Sequence, residues 1–158
     1  MELSKTDVKK ISKEFRIPEK DILDFLAEEE KLLRISTLKQ SFSEQSEAIA
    51  KIAIIKEWQY ECKNFSDFEE LYINVEDNLI TEDFYFNWLK STKNYWEKKE
   101  IYSCALKEIS LASVKKFVEE WINQAESLED LREAMSHTNS ESDEYKIGLK
   151  KIIKIYKN

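Results

Sequence analysis

A chain of 158 residues with a net charge of −7 is long enough for one compact domain, or a small domain with an appendage, and needs no metal or disulfide to be stable. Its acidity disfavours whole-surface attraction to nucleic acid or anionic lipid. One glycine and one proline are too few for the turns of a sheet protein, and the wealth of Glu, Lys, Leu and Ala predicts an all-α fold.

From the N-terminus, Ser4 with Asp7 three residues on resembles a capping box, and Val8, Ile11 and Phe15 share one helical face. Arg16-Ile17 is a turn. Pro18 opens a second helix at a position where its missing N–H costs nothing, and Glu19 and Asp21 complement that helix's dipole. Ile22, Leu23, Phe25, Leu26, Leu32 and Leu33 supply its apolar face. The polar stretch Ser36 to Ser46 reads as the boundary between an N-terminal appendage and the main body. A third, central helix is predicted over Glu47 to Cys62, with Ala48, Ile49, Ile52, Ala53, Ile55 and Tyr60 on its apolar face. Ser66 and Glu69 predict the cap of a fourth helix, Asn74 to Asn78 a turn, and Thr81 the cap of a fifth.

No glycine or proline interrupts Glu82 to Ser110, so the pattern predicts one long aromatic helix, bent near Lys98-Lys99. A sixth helix is predicted over Leu111 to Gln124, a seventh over Leu128 to Ser136 and an eighth over Glu141 to Tyr156. The eighth is basic and amphipathic. Its lysines suit the negative end of its own dipole, while Ile147, Leu149, Ile152, Ile153 and Tyr156 are expected to pack on the body.

Part of the pattern occurs twice. With Trp58 placed over Trp121, Glu57 meets Glu120, Cys62 meets Ala125, Phe65 meets Leu128, Asp67 meets Asp130 and Glu70 meets Glu133. A shorter loop then brings Asp83 onto Asp143 and Tyr85 onto Tyr145. The expected architecture is therefore an N-terminal helical hairpin with its connector (1–45), then two related three-helix units (46–109 and 110–158) in a solenoid-like bundle.

The residues exclude several chemistries. Cys62 and Cys104 fit no metal or redox spacing and read as reduced thiols of a cytoplasmic protein, Cys62 as a small buried group. The single histidine, His137, lies in a polar turn and lacks companion ligands for a structural zinc site; no metal or cofactor is expected. A nucleophile elbow and a glycine-rich phosphate loop are both missing. The start, MELSKTDVKK, has no apolar run of the kind a signal peptide needs, and no stretch approaches the roughly 20 apolar residues of a membrane span.

The hairpin Val8 to Leu26 resembles a helix-turn-helix in outline. Its second helix offers Glu19, Asp21, Asp24, Glu28, Glu29 and Glu30 where a duplex reader needs donors, so specific nucleic-acid binding is not expected. A degenerate regulator of transcription remains the alternative.

The aromatic run gives the candidate site. Phe84, Tyr85 and Phe86 are consecutive, and neighbours on a helix point about 100° apart, so some must leave the first core. Trp88, Tyr95, Trp96 and Tyr102 are the candidate partner-binding residues. The expected function is a non-enzymatic helical module, an adaptor or inhibitor, that binds another protein or a second copy of itself.

Overall fold

The computed structural model describes residues 3–158. It is all-α, 79% helix in nine helices, with no strand among the described residues. The chain forms two compact units, Met1–Glu61 and Cys62–Asn158. The expected boundary after residue 45 would have parted the third helix from the N-terminal hairpin; packing groups it with that hairpin instead. The two stretches 62–109 and 110–158 lie together in the second unit.

The first unit holds α1 (Lys5–Phe15), α2 (Glu19–Glu44) and α3 (Ala48–Glu61). The Ser4–Asp7 capping box forms as expected, with Asp7 N–H donating to Ser4 Oγ at 3.1 Å. Arg16 ends α1 in the left-handed conformation (φ 56°), and Pro18 is the N-cap of α2. α2 then runs on to Glu44, through most of the polar stretch expected to be a connector, and only Gln45 to Glu47 lie outside a helix. The hydroxyls there fold back onto their own helix: Thr37 donates to the Leu33 carbonyl at 3.0 Å and Ser43 to that of Gln40 at 2.8 Å. Polarity alone does not stop a helix whose side chains face water. Phe42, near its end, is buried, with the Lys51 ammonium 5.3 Å from its ring centre.

The apolar faces predicted here are largely outward. α2 buries Ile35 and Phe42, whereas Leu23, Phe25, Leu32 and Leu33 are exposed. α3 buries Ile55 and Trp58 and leaves Ile49, Ile52 and Tyr60 exposed, so it is not the fully enclosed central helix expected.

The second unit holds α4 (Phe65–Asn74), a 3-10 turn (Asp77–Leu79), α5 (Glu82–Lys90), α6 (Tyr95–Glu108), α7 (Leu111–Gln124), α8 (Leu128–Met135) and α9 (Asp143–Lys157). Two expectations are corrected. The cap of α4 is Asn64 with Asp67, not Ser66 with Glu69: Asn64 Oδ1 accepts from Asp67 N–H at 3.0 Å, and Asp67 bonds back to the loop. The long aromatic helix is two helices. Ser91 and Thr92 each donate to carbonyls three residues back, at 2.6 Å, and Asn94 then caps α6 by accepting from Glu97 N–H at 3.0 Å. The break falls where the Asn94 side chain leaves the first helix and caps the next.

This break shows a spacing that the two-fold reading missed. Trp58–Asn64–Asp67, Trp88–Asn94–Glu97 and Trp121–Ser127–Asp130 occur at one register. Each set has a tryptophan on the first helix, a cap, and an acid in the first turn of the next helix. All three tryptophans are buried.

Within the second unit α5 packs on α4, α6 and α7, and α7 on α6, α8 and α9. The aromatic trio divides accordingly. Phe84 meets Phe68 and Tyr72 of α4, and Tyr85 meets Tyr72, while Phe86 turns to Phe117 of α7. α8 and α9 cross closely at Gly148, where an added Cβ would come within 2.6 Å of Met135 Sδ. Lys151 of α9 donates to the carbonyls of Ile122, Asn123 and Ala125, at 2.9, 2.6 and 3.3 Å. This lysine satisfies the end of α7, whereas the sequence pattern assigned it to its own helix dipole. Leu149, Ile153 and Tyr156 are exposed and do not pack on the body as expected.

Candidate functional site

The four candidate residues separate into three environments. Trp88 is 1% exposed and its Nε1–H donates to the Phe65 carbonyl at 3.2 Å. It packs against Phe65, Tyr72 and Phe84 and belongs to the core, so it is withdrawn as a contact residue. Tyr85 is likewise core, as expected of scaffold.

Tyr95 and Trp96 open α6. Trp96 is 63% exposed, and Tyr95 lies beside it, the rings tilted by 30° with centres 4.7 Å apart. Lys99 Nζ lies 5.7 Å from the Trp96 ring centre. One turn further, Glu100 shares its helix face with Trp96 and meets Glu69 of α4. Burial, a hydrogen bond to Glu69 and the charges of Glu69 and Glu97 raise the Glu100 pKa above the ordinary carboxyl value. Ile73, one turn beyond Glu69 on α4, is exposed. The surface thus combines an exposed indole with two carboxyl groups that crowd each other.

Tyr102 is elsewhere. It stacks on His137 at 4.1 Å between ring centres, and both rings approach Trp121. Burial raises the Tyr102 pKa. His137 is therefore not the solvated turn residue expected. It closes an aromatic cluster, with Nε2 3.4 Å from Glu133 Oε1. A groove of about 500 Å³ runs beside this cluster, between Tyr102 and Leu106 of α6, Val114 and Lys115 of α7, and Glu144 of α9. No local sequence pattern brings His137 to Tyr102; only the stacking of α6 against the α8–α9 turn does so.

A buried polar contact ties α6, α7 and α8 together. Asp130 accepts from Lys98 Nζ and from Trp121 Nε1, both at 2.5 Å, and all three side chains are buried. The paired charges and the indole N–H satisfy one another, which a lone buried ion could not do.

Cys62 is buried, in keeping with its match to the buried Ala125, and Cys104 is partly so. Among the described residues no three of His, Cys, Asp and Glu converge to hold a metal ion, and no helix is long and apolar enough to cross a membrane. In the N-terminal hairpin, the acids of α2 and the lysines of α1 are both exposed. No protein-family model, curated protein or solved structure matches this chain.

Proposed function

We propose that this chain is a protein–protein interaction module, without a catalytic role of its own, that docks on a partner through the start of α6. The observation that supports this most directly is Trp96. Of the four tryptophans it is the one left at the surface, and Tyr95 lies beside it. Tryptophan is among the side chains most enriched at the energetic centres of protein interfaces. The Glu69–Glu100 pair beside it indicates the partner's chemistry. The Glu100 carboxyl, held above its ordinary pKa beside Glu69, is relieved by an incoming cation, so a basic partner surface fits. An adaptor or inhibitor that covers a basic site on its target matches this pattern. The transcriptional alternative is less favoured, because the exposed face of α2 is acidic where it would have to approach phosphate.

Capture of partners from the source organism by the wild-type chain and by Trp96→Ala, followed by reconstitution with the purified partner, tests this. The expected outcome is a loss of about 2 kcal/mol or more in binding with an unchanged melting curve. Equal binding by both proteins would remove Trp96 from the interface and end the proposal. Sedimentation of the two proteins alone distinguishes a second copy from a foreign partner.

A further inference from the structure

The first unit leaves two apolar seams in the open. On α2 the seam is Ile22, Phe25, Leu26, Glu29, Leu32 and Leu33. On α3 it is Ile49, Ile52, Ala53, Lys56 and Tyr60. Steps of three and four residues keep each set on one side of its helix. Ile22 and Leu26 are partly exposed and the others are open to solvent, Ile49 to 84% and Tyr60 to 78%. α2 and α3 pack on each other. The side chains they bury are Lys31, Ile35 and Phe42 on α2 and Ile55 and Trp58 on α3. At about 100° per residue these point away from the seams, so the unit's own packing leaves both seams bare.

The two seams match each other. Laid side by side, Ile22 falls on Ile49, Phe25 on Ile52, Leu26 on Ala53, Glu29 on Lys56 and Leu33 on Tyr60. Each seam carries one charge, at the same place, and the signs are opposite. A charge set among apolar contacts weakens association unless the facing surface neutralises it, and helices select partners in this way. The neighbouring acids Glu28 and Glu30 are held by Lys31 and Arg34 of their own helix, at 3.2 Å in each case. Glu29 and Lys56 form no ion pair among the described residues. A foreign helix would have to supply the missing charge at this spacing. The chain already holds both complements, so the occupant that suits both seams is a second copy.

We propose that copies of this chain associate through the first unit, the α2 seam of one seated on the α3 seam of the next, with Glu29 paired to Lys56 between the apolar contacts. The contact joins unlike surfaces, so it repeats, and copies add until a ring closes or a filament grows. This goes beyond the docking surface at Trp96 and uses no residue of the unit that carries it.

Sedimentation of the full chain between about 1 and 100 µM should show the mean mass rising with concentration. Glu29→Lys and Lys56→Glu each set like charges in the facing seams, and each should weaken association about tenfold or more. Mixed in equal amounts, the two variants should regain it, because every contact between unlike copies is again acid on base. Recovery in the mixture also shows that both variants are folded. If either loses its helical signal, Leu33→Ser decides, since it removes an exposed apolar contact without adding charge and should weaken association too. A chain that stays monomeric to about 100 µM, association untouched by the substitutions, or a mixture no better than its parts would each overturn the assignment. Association lost in Trp96→Ala would also overturn it, by moving the contact to α6. A monomeric chain that still captures a partner through Trp96 removes the seams and leaves the module standing.

Discussion

The helix pairs α5–α6 and α7–α8 carry the same local pattern and direct it differently. In the first, Glu97 turns back to its own loop and accepts from Lys93 N–H at 2.7 Å, while Trp88 finds a backbone carbonyl on α4. In the second, the equivalent acid, Asp130, leaves the loop. It turns inward to bind the Trp121 indole and Lys98, while Ser127 alone caps the helix. The difference arises from one substitution in the pattern. The position filled by Phe68 and Leu131 after the other two caps is Lys98 in α6, and Lys98 is buried. A buried ammonium requires an anion, and the neighbouring pair supplies it. A capping acid is therefore a local device until a charge arrives in the core beside it, whereupon it becomes a tertiary contact.

That contrast predicts a graded series. Asp130→Ala should be the most damaging change, about 3–5 kcal/mol by urea unfolding, because it strands a buried ammonium and an indole N–H together. Replacing both partners, Lys98→Met with Asp130→Asn, should recover most of that loss, since an apolar group needs no anion. If the double variant is no better than Asp130→Ala, the inward turn of Asp130 is not about Lys98. Gly148→Ala tests how tightly α9 closes on α8. Crowding Met135 should cost about 1–3 kcal/mol, despite the better helix propensity of alanine; a stabilised variant would show that Met135 yields freely.

On the other pair, Glu97→Ala should cost only about 1 kcal/mol, the worth of a helix cap. A loss matching Asp130→Ala would erase the distinction between the two acids. The smallest effect concerns Glu100. Its raised pKa means that the folded chain keeps a proton the unfolded chain has released, so stability falls as pH rises from the ordinary carboxyl value through the raised one. Glutamine cannot ionise. Glu100→Gln should therefore match the wild type in acid and melt at a higher temperature near neutral pH, as thermal scans across that range would show.

Much of the fold was legible in the sequence, and the failures have physical causes. The helical class, the Ser4 cap and the span of α7 followed from periodicity and caps. The break at Ser91–Asn94 holds no glycine or proline and falls inside a continuous apolar stripe that hides it, although Asn94 with Glu97 repeats Asn64 with Asp67. Most of the connector expected at Ser36–Ser46 is helix, up to Glu44, because exposed serines do not compete with it strongly enough to end it. At the candidate site, crowding of aromatics showed that one indole should lie outside the core, and Trp96 does. It could not say that Trp88 would not, since both occupy apolar stripes of similar spacing. The stacking of His137 on Tyr102 was invisible, because it depends on which helices meet, and no local pattern encodes that.

The uneven placement of the indoles also makes the molecule its own optical instrument. Trp58, Trp88 and Trp121 are shielded from solvent, and Trp96 alone is open to it. A dissolved quencher such as iodide should therefore extinguish one fraction of the emission and spare the rest. That fraction comes from the start of α6, so anything that seats on Trp96 announces itself, without a label, as light that the quencher can no longer reach.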